Sequence, residues 1–233
     1  MDVPEAETVA LPGGPARVAW RRSSRARRVS LRIDPREGAV VVTLPPRAGR
    51  GAGMALLMSH AGWISDRIAA LPSAIPFVDG AMVPLDGIEY QIRHLPDRRG
   101  GAWVEQGAIC VTGSPEFLSR RVSDFLRAEA RRRLVLIVAE KASLTGTQPR
   151  RITVKDTSSR WGSCAPDGSL AFSWRLVMAP GFVQDYVAGH EVAHLRHMNH
   201  GTRFWALVDQ LTPHTTTAVP WLRGEGARLL RVG

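Results

Sequence analysis

Cysteine is nearly absent: Cys110 and Cys164 are the only two in 233 residues. Two thiols cannot make the disulfide framework on which small secreted domains rely. Long apolar runs are missing as well. The stretch 134–139 is among the longest, far short of the roughly 18 residues a membrane-spanning helix needs. The first residues carry Asp2, Glu5 and Glu7 and no sustained apolar run, unlike the basic start and apolar core of a signal peptide. The expectation is a soluble, cytoplasmic protein that makes no use of a membrane. Lysine is scarce too. Removing Lys141 and Lys155 from the 31 basic residues leaves 29 arginines, a ratio that abundant alanine and glycine mark as composition bias. With 44% hydrophobic and 22% charged residues the chain is not disordered as a whole. Its net charge of +10 predicts loose attraction to polyanions at low salt.

What is present reads as an α+β protein, β-rich first and helical later. Short β-rich runs occupy 17–21, 28–33 and 39–44, with Asp34, Pro35, Glu37 and Gly38 turning the last two into a hairpin. A helix is expected over about 53–71, its apolar stripe formed by Leu56, Met58, Trp63, Ile64, Ile68 and Leu71. Further strands are expected at 81–84, 90–94, 103–105 and 109–112. Character changes at Ser114 and Pro115, where a long helix begins and runs to about 144 on Leu118, Val122, Leu126, Ala130, Leu134, Ile137 and Val138. Strands at 152–155 and 169–174 follow. Pro180 opens a helix to about 197, and helices near 203–211 and 220–230 complete the chain. The division suggested is a β-rich part, 14–112, and a helical part with a small sheet, 113–233, together forming one module of about 20–230.

Chemistry concentrates in one window. Four of the seven histidines fall at 190, 194, 197 and 200, and the segment His190, Glu191, Val192, Ala193, His194 spells HExxH. A spacing of four places both imidazoles on one helix face, within reach of a single cation. Zinc accepts neutral imidazole and leaves a fourth position open for water. Glu191, beside the first ligand, is placed to take a proton from that water. His197 lies seven residues beyond His190, about 10 Å along a straight helix, too far for one small ion to gather all three. Asn199 and Gly201 flank His200 and tolerate the left-handed conformation that ends helices. His200 is therefore expected to swing back as third ligand, with His197 left beside the site or at the surface. The spacing of His190, His194 and His200 equals that of the metzincin signature. His197 where that signature has glycine, and the lack of any methionine after Met198, count against that family.

Upstream lies Ser159, Arg160, Trp161, Gly162, Ser163, Cys164. Arg160 or Ser163 could meet a substrate. A tight turn is the plainer reading, with Gly162 freeing the backbone, Trp161 filling core and Cys164 a small buried hydrophobe. Phe204 and Trp205 read as core of the following helix.

Taken together, the Ser159 to Cys164 segment, Trp174, Arg175 and Leu176, Asp185, Tyr186 and Val187, His190 to Leu195, Asn199 to Gly201, and Phe204 with Trp205 resemble the YgjP-like metal-dependent hydrolases. The likeness runs from about Trp20 to about Leu230. It is weaker at the N-terminal end, where Arg25 to Arg28 and Trp63 with Ile64 carry it. That family is described as a zinc metallopeptidase domain related to the SprT-like proteases. The resemblance implies a zincin-like catalytic part with its HExxH helix, one Zn2+ or other divalent ion on His190, His194 and His200, and Glu191 as catalytic base. Peptide or protein hydrolysis is the leading expectation, with Arg175 a candidate oxyanion donor. One member is described as a pyrophosphatase acting on uridine triphosphate, so hydrolysis of a nucleoside triphosphate is the alternative. It lacks support from a glycine-rich phosphate loop. A third reading is a nucleic-acid-associated module with a structural metal, resting on the five arginines at 21, 22, 25, 27 and 28, although a solvated loop and strand start is the plainer account of that run.

Overall fold

The computed structural model describes residues 5–157 and 159–233, so Asp2 lies outside the described residues. The chain divides into two compact units, 1–73 and 74–233, each with its own apolar cluster. Both mix strands and helices, which makes the protein α+β. No helix among the described residues is long and apolar enough to cross a membrane.

In the first unit, strands β1 (Glu5–Leu11), β2 (Gly14–Arg22), β3 (Ser30–Asp34) and β4 (Ala39–Leu44) form a sheet in the order β1-β2-β4-β3. Strands β2 and β4 run parallel, and the other pairs are antiparallel. The hairpin expected from 28–33 and 39–44 is β3 with β4. Alternation buries Ala16, Val18 and Trp20 on β2, and β4 adds Val40, Val42 and Leu44 to the same cluster. Edge strand β1 escaped the sequence reading because Glu5 and Glu7 dilute its apolar signal.

The helix expected over 53–71 is two helices, α1 (Arg50–Ser59) and α2 (Ala61–Ala69). They are separated at His60, which leaves helical geometry at φ −115° and ψ 16° while its Nδ1 bonds the Leu56 carbonyl at 3.0 Å. The buried face keeps helical spacing across the break. Leu57, Ala61 and Ile64 are buried, whereas Met58 and Trp63 stay 44% and 49% exposed.

In the second unit, β5 (Met82–Leu85), β6 (Ile88–Leu95), β7 (Ala102–Glu105) and β8 (Ala108–Thr112) form a sheet in the order β5-β6-β8-β7. The long helix α3 (Leu118–Thr145) buries Leu118, Val122, Leu126, Ala130, Leu134 and Val138, as its periodicity requires. Gly146 ends it in the left-handed conformation, φ 61°. A second sheet, β10-β11-β9, comprises β9 (Arg151–Lys155), β10 (Gly162–Cys164) and β11 (Ser169–Ser173). Strand β10 lies where the sequence suggested a turn. Helices α4 (Gly181–Ala193), α5 (Thr202–Leu211) and α6 (Thr215–Leu230) follow. Helix α4 ends near 194 rather than 197, and α6 starts ahead of Pro220.

One turn ties these elements together. Asp86 and Gly87, between β5 and β6, both take positive φ, 57° and 76°. Their amides donate to the carbonyls of Val177 (2.8 Å) and Met178 (3.0 Å), just ahead of α4. The Asp86 carboxylate pairs with Arg133 of α3 at 2.7 Å and accepts from Gln184 Nε2 of α4 at 3.1 Å. Strands 82–112 thus join the helices in one compact unit. The boundary falls at 73–74, where the sequence placed it at 112–113 on the change from strands to helices. Buried Lys141 on α3 adds an ion pair to Asp185 on α4 at 2.5 Å.

Candidate metal centre

Helix α4 is apolar enough to be enclosed, burying Val183, Val187, Ala188, Val192 and Ala193. His190, Glu191 and His194 lie in its last turns. The chain then turns tightly, with the amides of Arg196 and His197 both bonding the Ala193 carbonyl. Neither Asn199 nor Gly201 adopts the left-handed conformation expected of them; Gly201 sits at φ −83°. The helix has already ended at His194, so no such residue is needed to return the chain. His200 nevertheless arrives beside the other two.

The Nε2 atoms of His190 and His200 are 3.2 Å apart. One nitrogen from each of His190, His194 and His200 falls within 4.8 Å of the others. Two imidazole nitrogens on one tetrahedral ion, each at about 2.05 Å, would stand about 3.3 Å apart, so the separation fits a shared divalent cation. Orientation agrees. His194 donates its Nδ1 hydrogen to the His197 carbonyl at 3.0 Å, leaving Nε2 as the free lone pair. His197 therefore contributes through its backbone, not its ring. Burial and the two neighbouring imidazoles push His190 down to about 4. Burial also lowers His194, against the opposing pull of its bond to His197. Both rings are neutral near pH 7, the form a metal accepts.

The floor of the cluster is aromatic. Phe204, wholly buried on α5, lies 4.9, 4.5 and 4.7 Å, ring centre to ring centre, from His190, His194 and His200. Trp205 is 38% exposed and flanks His190 and His200 at 5.9 and 5.8 Å. The sequence reading of Trp205 as core is thus corrected, and that of Phe204 is incomplete. Nothing in the local sequence distinguishes a ring that fills core from one that also supports three imidazoles.

Glu191 is 6% exposed, and its carboxylate has no hydrogen-bond partner among the described residues. Burial pushes it up to about 7, against the counter-pull of the Arg160 guanidinium. It shares an open pocket of about 360 Å³ with the three histidines, Arg160, Ser163 and Cys164. Of the residues singled out upstream, Arg160 and Ser163 therefore reach the pocket. Cys164 lines it too but stays outside the metal-spaced cluster, its thiol held protonated by burial and by Glu191 and Asp167. Arg175 does not reach the pocket. It is fully buried, ion-paired with Asp156, stacked over Trp174 and bonded to the Val232 carbonyl, which withdraws it as an oxyanion donor.

Gly162 is explained by room and not by backbone freedom. Its φ is not left-handed, but a Cβ there would stand 2.6 Å from both Cγ and Oε1 of Glu191. Gly162→Ala should keep the fold and the metal, because the glutamate side chain can swing aside. Its carboxylate would be displaced by the order of 1 Å, a shift that can slow a reaction by about 10²-fold. Turnover measured beside metal content checks this, and an alanine variant at full rate would show the carboxylate is not where reaction occurs.

Three comparisons bear on the chain. A family model described as YgjP-like, metallopeptidase domain, matches residues 27–225. No curated protein sequence matches it. Among solved structures, the metallopeptidase zymogen of Pyrococcus abyssi abylysin is similar to it, at 16% identity and a TM-score of 0.31, over 42% of this chain and 87% of that one.

Proposed function

Because the chain belongs to the YgjP-like metallopeptidase family, we propose that it is a zinc-dependent peptidase with His190, His194 and His200 as ligands and Glu191 as general base. The observation that carries this reading is the convergence of three imidazole nitrogens in one pocket with the buried Glu191 carboxylate. A zinc ion there would supply Lewis acidity to a water and to a scissile carbonyl. Glu191 accepts the proton of the attacking water at a carboxylate oxygen and returns it to the departing amine. Burial, which raises its affinity for a proton, suits both halves of that task. Arg160, exposed at the pocket and felt by Glu191, replaces Arg175 as the group placed to meet an oxyanion or a substrate carboxylate.

Peptide hydrolysis is favoured over hydrolysis of a triphosphate by the pocket lining. Glu191 is its sole carboxylate among the described residues, whereas magnesium-held triphosphates recruit oxygen ligands. Chelation should abolish cleavage of casein or a peptide, and one equivalent of zinc should restore it. Cleavage that continues in protein shown by elemental analysis to be metal-free would defeat the proposal. Zinc-dependent pyrophosphate release from nucleoside triphosphates, without peptide cleavage, would move it to the other bond.

A further inference from the structure

The first unit carries its own candidate binding surface. The arginines along its sheet fall into two classes. Arg17, Arg32, Arg36 and Arg50 each face a carboxylate: Glu37, Asp34, Glu37 and Glu7. Arg21, Arg25, Arg27, Arg28 and Arg47 are exposed, and none pairs with a carboxylate among the described residues. These five gather where β2 and β4 end. The strands run parallel there, the Ser23 amide bonds the Leu44 carbonyl, and Arg22 donates to the carbonyls of Pro46 and Ala48. Cations left uncompensated in one place repel one another, so the folded chain tolerates a cost that a polyanion would remove.

Beside them is an open groove of about 400 Å³ lined by Arg28, Ser30, Leu31, Leu56, His60 and Trp63. Trp63 is half exposed along this groove. Arg28 belongs to both the cationic cluster and the groove wall. A phosphate chain with flat, stackable groups answers both features. Charge alone would accept any polyanion, but an exposed indole lining the same groove as Leu31 and Leu56 offers a stacking face to an unpaired base. A duplex keeps its base faces hidden, whereas a single strand offers both the phosphates and an open base plane.

We propose that this end of the first unit binds single-stranded nucleic acid, with phosphates on Arg21, Arg25, Arg27, Arg28 and Arg47 and a base stacked on Trp63. The proposal stands whether or not the metal centre cleaves peptides. The test is anisotropy of a fluorescein-labelled oligo(dT) titrated with the full chain at several salt concentrations. The combined variant Arg25→Gln, Arg27→Gln, Arg28→Gln should weaken binding by about 10-fold or more at low salt. It should also flatten the slope of log K against log salt by about 2, since each lost phosphate contact on a single strand removes about 0.7. Trp63→Ala should weaken binding by about 5-fold or more and leave that slope unchanged, with Trp63→Phe recovering part of the loss. A duplex of equal length should bind more weakly and ignore Trp63→Ala. The proposal falls if oligo(dT) does not bind at low salt, or if Trp63→Ala is silent. It falls equally if phosphatidylserine vesicles bind more tightly than the oligonucleotide, which would make the surface a membrane contact.

Discussion

Glu191→Gln is expected to slow peptide cleavage by roughly 10²–10⁴-fold, the usual contribution of a positioned general base, while metal content stays stoichiometric. Glutamine matches glutamate in shape but has no carboxylate oxygen to accept a proton. The pocket that encloses residue 191 should admit it without repacking, since the carboxylate makes no hydrogen bond among the described residues that the amide would break. Burying the charged form costs free energy, as its upward displacement to about 7 records, and a neutral amide relieves that cost. The melting temperature of the metal-free variant should therefore not fall. Turnover, elemental analysis and a thermal scan on one preparation make the check. An unchanged rate would remove Glu191 from the reaction, and a lost metal would make it a support of the site.

The second large effect separates two histidines three residues apart. His200→Ala should weaken metal binding by more than the 10–100-fold that disturbing a ligand's outer partner costs, because it removes one of three converging nitrogens. His197→Ala should bind metal within a few-fold of the parent. What His194 needs from position 197 is a peptide carbonyl, and alanine provides it. Titration against a fluorescent zinc indicator gives both affinities directly. The reverse ranking would mean that the chain beyond His194 follows another path and that the ligand set must be redrawn.

The helix-borne parts of this centre were legible because helical spacing is a local property. His190, Glu191 and His194 share a turn, and only a return of the chain was needed to bring His200. The reason for that return was misread: the helix stops at His194, so the left-handed residue expected at Asn199 or Gly201 is absent. Residues acting across the fold were not legible. Gly162 looked like a turn glycine because the carboxylate needing its space lies on another element. Arg175 looked like a site arginine because its partner Asp156 and the stacking face of Trp174 become apparent only once the chain is folded. Trp63 was assigned to the apolar stripe, but the buried face runs through Leu57, Ala61 and Ile64 and leaves Trp63 about 100° round the helix from Ile64, half exposed. Periodicity served best where a helix is long and straight, as in α3, and worst at the short helices α1 and α2.

The turn at Asp86 and Gly87 makes α4 a lever. It is bolted at its origin by the bonds to Val177, Met178, Gln184 and Arg133, and its working end lies about 20 Å away at 1.5 Å per residue. Gly87 packs so closely on Pro180 that an added Cβ would stand 2.8 Å from that ring. At such a length a tilt of only about 3° carries the His194 imidazole about 1 Å off target, enough to matter for the order-of-magnitude demands of a reacting geometry. Aiming error at the histidines is therefore set as much by a two-residue bend on a distant sheet as by anything that touches them.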